Sequence, residues 1–204
     1  MKLAKRIWMA AICVAGLALP AGAQSVSITY SALSEPLPDG TTKYFSLTVD
    51  AGGGSATTKY LKTVKSSGFG GTSGNLSVYE ADSLVDAHLS IVPSWALYGA
   101  WSYTPMGGDC VETWTIQPDP SSPYVAIADL TDISDKVVDL GGLDGNFEAQ
   151  DGAVLTGELS GNYRITVAAG ATVTLCNAVV QGEGNEDFKW AGITCLGEIG
   201  RAHV

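Results

Sequence analysis

From Val26 to Ile116 the apolar residues recur at every second position over short runs, as in Val26, Ile28 and Tyr30 and again in Phe45, Leu47 and Val49. A period of two marks half-buried strands, because successive side chains of a strand point to opposite faces. The same reading predicts strands at Ser25–Tyr30, Tyr44–Val49, Thr58–Val64, Leu76–Tyr79, Leu89–Val92, Trp95–Tyr103 and Val111–Ile116. Pro36–Gly40 and Ala51–Ser55 supply the turns between them, proline by fixing φ and glycine by allowing φ above zero. Many short strands with hardly any helical periodicity predict an all-β chain, with a β-sandwich-like domain over residues 24–117.

Pro118, Pro120 and Pro123 then interrupt the pattern, removing backbone donors and fixing an extended path. They open a linker and bridging segment, residues 118–144, in which Ala128–Asp135 reads as a helical turn or a loop. From Gly145 the runs are shorter: Ala153–Leu155, Tyr163–Val167, Ala171–Leu175, Ala178–Val180 and Ala191–Cys195. Such strands are too short to be stable as hairpins. They make sense if each pairs in parallel with its equivalent one coil later, as in a solenoid. Ile165, Val167, Val173, Leu175 and Val180 then point inward, and Gly157, Gly161, Gly170 and Gly182 turn the corners. Cys176 and Cys195 lie 19 residues apart, about one coil, so stacking is expected to bring them together as a candidate disulfide.

Val154-Leu155-Thr156-Gly157, the run Tyr163–Leu175 and Lys189-Trp190-Ala191-Gly192-Ile193-Thr194-Cys195 stand in an order that resembles the first turns of the right-handed parallel β-helix carbohydrate-binding proteins exported by gut and rumen bacteria. The resemblance covers residues 150–197 and implies that residues 145–197 are the start of such a helix. It also implies an extracellular polysaccharide or other glycan as partner, and further turns beyond this stretch. Cys176 departs from the pattern, standing where a polar loop residue such as aspartate is expected.

Composition narrows the setting. Lys2, Lys5 and Arg6, the apolar run Ile7–Leu19 and the small residues Ala21-Gly22-Ala23 follow the order of a cleavable signal peptide, residues 1–23. The apolar run is shorter than the roughly 20 residues of a membrane span. A secreted protein is expected, extracellular, at the cell surface or in a periplasm, with no membrane span after cleavage. Cleavage takes three of the 11 basic residues and none of the 21 acidic ones, leaving a net charge near −13. So acidic a chain, with no basic cluster, disfavours nucleic acid. Three cysteines remain: Cys110, Cys176 and Cys195. At the other end, Ile199–Val204 back-translates as ATC GGA AGA GCA CAC GTC, similar to a sequencing adapter, so residues 198–204 are expected to be read-through of a truncated gene.

Sugar recognition by a β-protein commonly uses aromatic faces flanked by amides and carboxylates. Trp95, Leu97, Trp101 and Tyr103 share one face of a predicted strand, with Tyr98 on the other. Trp95, Trp101, Tyr103 and Trp190 are therefore the candidate carbohydrate contacts, although two tryptophans at this density also read as domain core. Asp144, Asn146, Glu148 and Asp151 alternate oxygen ligands beside Gly145 and Gly152, the donor type that calcium requires. Calcium is the one cofactor expected, and a solvated turn is the plainer reading of the same residues. Glu183, Asn185, Glu186 and Asp187 form a second polar cluster.

No catalytic set emerges. His88 is the only histidine before the suspected read-through, and no G-x-S-x-G, zinc motif or phosphate loop is present. The stretch from Gly145 to Gly197 offers Arg164 and Lys189 as its basic groups, and spacing defines no carboxylate pair of the kind glycosidases use. Non-catalytic glycan binding is the expectation. The alternatives are a polysaccharide lyase or glycoside hydrolase with its active residues in later turns, and a surface adhesin or structural module.

Overall fold

The computed structural model describes residues 25–50, 56–66, 71–81, 92–93, 97–118, 126–159, 163–180 and 192–196. The signal peptide, Trp95, Trp190, His88, the cluster 183–187 and the residues from 197 onward lie outside the described residues. The fold is all-β, and the chain divides into two compact units.

The first unit carries strands β1 (Val26–Leu33), β2 (Thr42–Asp50), β3 (Ala56–Lys65), β4 (Ser73–Ala81), β5 (Val92–Pro93), β6 (Leu97–Met106), β7 (Asp109–Pro118) and β8 (Ala126–Asp132). They form one large antiparallel sheet in the order β1-β7-β6-β4-β3-β2-β8, with β5 beside β4. This differs from the two packed sheets of the sandwich-like expectation, and the reason lies in how the sheet rolls. β7 and β2 are four strands apart, about 19 Å in a flat sheet at the usual strand spacing. Yet the rings of Trp114 and Phe45 have centroids 6.2 Å apart. The two edge strands, about 29 Å apart if flat, are joined by the Tyr30 hydroxyl donating to Asp132 at 2.8 Å. One sheet thus curls over its own apolar face and encloses Phe45, Leu47, Leu61, Leu97, Trp101, Trp114, Ile116 and Ile127.

Bulges drive the curl. The β1–β7 register shifts between Tyr30 and Leu33, and the β2–β8 register between Ser46 and Thr48. Ala32 (φ 57°) and Asp129 (φ 51°) occupy these two shifts in the left-handed region. An extra residue on one strand bends it and increases local twist. Both bulges lie on the strands that meet at the seam. Burial raises the Tyr30 hydroxyl far above its ordinary pKa, the Asp132 carboxylate adding to the effect, so Tyr30 remains a donor there.

β8 extends the first unit past the proline-rich stretch, so residues 118–144 are not a linker throughout and Ala128–Asp132 is strand rather than helical turn. Residues 133–144 belong to the second unit. It contains β9 (Val137–Asp139), a 3-10 turn at Leu140–Gly142, β10 (Phe147–Ala149), β11 (Val154–Leu159), β12 (Ile165–Val167), β13 (Thr174–Val180) and β14 (Ile193–Cys195). These pair in parallel as two three-stranded sheets, β13-β11-β9 and β10-β12-β14. Val137 aligns with Val154 and Val154 with Thr174, offsets of 17 and 20 residues. Leu140, Ala149, Leu155, Leu159 and Ile165 fill the core between the sheets.

Cys176 and Cys195 are not brought together. Cys195 aligns with Val167 in one sheet, 28 residues earlier, while Cys176 lies on β13 of the other. Equal spacing implied a uniform coil, but this offset is longer than its neighbours and residues 181–191 fall within it. Both are free thiols, as is Cys110. Burial pushes the Cys176 thiol up to about 11. Of the expected inward positions, Ile165 and Val167 are buried and Val173 and Val180 pack against the core. Leu175 is 37% exposed because β13 is the edge of its sheet. Gly157 (φ 79°) and Gly170 (φ 76°) do take the left-handed conformation expected of corners.

Candidate functional site

The rolled sheet of the first unit has an inner and an outer face, and strand alternation assigns each side chain. On β6, Leu97, Gly99 and Trp101 point in, whereas Tyr98, Ala100 and Ser102 point out. Trp101 is buried, its indole N–H donates to the Ser66 carbonyl at 3.0 Å, and its ring stacks on Tyr103 with planes 9° apart. The Lys65 ammonium sits 3.8 Å from the Trp101 ring centre. Trp101 and, in part, Tyr103 therefore belong to the core and present no open ring for a sugar.

Behind them lies a buried charged group. Lys65 donates to both Glu112 oxygens at 2.9 Å and to the Leu37 carbonyl at 2.6 Å. Glu112 also accepts the Trp114 indole N–H at 2.6 Å and the Leu37 amide at 2.9 Å. A buried ion pair is tolerated when its remaining donors and acceptors are satisfied in this way. The pair ties β3 to β7 and fastens the β1–β2 connection through Leu37. It is scaffolding for the outer face rather than a reactive centre.

On the outer face, Tyr98 is 48% exposed on β6. It aligns with Gln117 of β7, and Ala100 aligns with both Thr115 of β7 and Asn75 of β4. Asn75, Ser77, Tyr79, Tyr98, Ala100 and Gln117 line a shallow cleft of about 510 Å³. Among the described residues, no charged side chain lines it. Gly99 lies beneath, where an added Cβ would come 2.5 Å from the Leu76 Cβ and 2.8 Å from a Val78 methyl. The missing side chain lets β6 lie close against β4, which sets the floor of the cleft.

No family model, curated protein or solved structure matches the chain. The site is therefore read from its own geometry.

Two side chains of the oxygen-bearing quartet of the second unit hold backbone. Asn146 accepts the Arg164 amide at 2.9 Å, and Asp151 accepts the Thr172 amide at 2.8 Å. Each side chain thus holds backbone that leads into the adjacent parallel strand. Glu148 turns outward on β10 and accepts from Gln150 at 3.2 Å, and Asp144 is exposed. Asp144, Glu148 and Asp151 do not converge, and among the described residues no three histidine, cysteine, aspartate or glutamate side chains gather as a ligand group.

The sequence contained one signal for the cleft. Tyr98 falls on the opposite face from Trp101, and an aromatic on the outer face of a core strand is the residue to ask about. The partners of Tyr98 were hidden because they lie on β4 and β7, whose registers only the fold supplies.

Proposed function

We propose that this chain is an exported, non-catalytic glycan-binding protein that recognises uncharged polysaccharide through the Tyr98 cleft. The observation that carries this reading is an exposed tyrosine ring among amides and hydroxyls, without a charge, on a chain with a formal net charge of −10. An aromatic face packs on the apolar C–H surface of a pyranose, while Asn75, Gln117 and Ser77 supply donors and acceptors for its hydroxyls. Without a carboxylate among its described lining residues, the cleft has no affinity to gain from calcium. The parallel pairing of β9–β14 supports reading residues 133–196 as opening coils of a right-handed parallel β-helix, in keeping with the resemblance of residues 150–197 to exported carbohydrate-binding β-helices.

Affinity electrophoresis tests the reading. Gels containing xylan, glucan or mannan are expected to retard the secreted chain, equally with calcium or with chelator. Tyr98→Ala is expected to lose the retardation while keeping the wild-type melting temperature. No retardation on any neutral glycan would refute the proposal.

A further inference from the structure

The cleft is one end of a longer surface. The β1–β7 register sets Ser27 opposite Thr115 and Thr29 opposite Thr113. The β6–β7 register sets Ala100 opposite Thr115 and Ser102 opposite Thr113. The β4–β6 register adds Asn75 opposite Ala100 and Ser73 opposite Ser102. Two adjacent rows therefore cross four strands: Ser27, Thr115, Ala100, Asn75, and Thr29, Thr113, Ser102, Ser73. All eight side chains are on the outer face, and none is ionisable. Four strands at the usual spacing make each row about 14 Å long between its end strands.

Two features separate these rows from an ordinary solvated surface. The hydroxyls are paired across strands, Ser27 with Thr115 at 2.8 Å and Thr29 with Thr113 at 3.2 Å, so their orientations are fixed before a ligand arrives. Preorganised polar groups cost less entropy on binding than mobile ones. Charge is also excluded here, although the chain has 32 charged residues and places Lys43, Lys59, Lys65, Glu80, Glu112 and Asp132 in pairs elsewhere on this sheet. Solubility favours the reverse, charges outside and none inside.

We infer that the hydroxyl rows extend the Tyr98 cleft into a track for a linear, uncharged polysaccharide lying across the strands from β4 to β1. This rests on the glycan-binding reading of the cleft and adds to it the ligand class, an internal stretch of a neutral chain rather than a chain end or a polyuronate, and the direction of the chain. Tyr98 and the cleft around it hold the first two sugars, and Thr113 and Thr115 select by exchanging hydrogen bonds with the hydroxyls of sugars further along the chain. A carboxylate on those sugars would lose its water without gaining a cationic partner on the track.

Isothermal titration with oligosaccharides of two to six units, from whichever neutral glycan retards the wild-type chain, tests the inference. Affinity is expected to rise at least tenfold from the disaccharide to the hexasaccharide. The double variant T113V/T115V, close in shape but without hydroxyls, is expected to abolish that gain while leaving disaccharide binding unchanged. Polygalacturonate is expected not to bind. Equal affinity for all lengths, or a length gain that survives in T113V/T115V, would overturn the track and leave the Tyr98 cleft standing. Loss of disaccharide binding in Tyr98→Ala reports on the cleft alone, so the two ideas fail separately.

Discussion

Lys65 and Glu112 are the residues whose chemistry is least expected from their position. Both alternate with core residues, Lys65 two positions after Thr63 and Glu112 two before Trp114, and strand parity puts them inside. A sequence reading keeps charges on the surface because an unpaired buried charge is costly. What overrides the rule is a partner 47 positions away, a relation alternation cannot reveal. Glu112→Gln leaves the Lys65 ammonium without its counter-charge, and denaturant unfolding is expected to show a loss of about 3–5 kcal/mol. The double variant Lys65→Met with Glu112→Leu removes both charges and is expected to recover most of that loss. A double variant no more stable than Glu112→Gln would show that packing, not charge pairing, is what the site requires.

At the scale of strands, most of the first sheet was legible. Regular alternation located β1, β2, β3, β4, β6 and β7 to within a few residues, because each has one face in the core and one in water. A bulge hid β8. In β8 the apolar residues Ile127 and Leu130 fall three apart because Asp129 is an inserted residue, and that spacing imitates a helical turn. In β13, Cys176 and Asn177 together face Thr156, so the alternation that carried Leu175 inward breaks at the next position. Asn177 itself is held at φ 53°, buried, with neither amide atom hydrogen-bonded. The parallel pairing of short strands was legible from length alone, whereas the unequal coil offset that separates Cys195 from Cys176 was not. The floor of the cleft depends on Gly99, between β6 and β4. Gly99→Val forces side-chain atoms into Leu76 and Val78 and is expected to cost about 1–3 kcal/mol. It is also expected to weaken glycan binding when measured well below the lowered melting temperature; undiminished binding would detach the cleft from the β4–β6 approach.

For the whole molecule, the proposed glycan binding rests on how one sheet divides its two faces. Rolling the sheet commits Trp101, Trp114 and the Lys65–Glu112 pair to its interior, where they support the outer face that carries Tyr98. Trp101 and Tyr103 are held by the core, whereas Tyr98, out of phase with them on the same strand, is 48% exposed on the outer face. The parallel coils contribute a second core and, through Asn146 and Asp151, side chains that hold neighbouring strands.

The most direct measurement is a ¹H–¹⁵N titration of the ¹⁵N-labelled chain with a neutral hexasaccharide. The account expects shifts concentrated at Asn75, Ser77, Tyr98, Ala100, Thr113, Thr115 and Gln117, with residues 133–196 unchanged. Shifts confined to residues 133–196, or none at millimolar hexasaccharide, would contradict it.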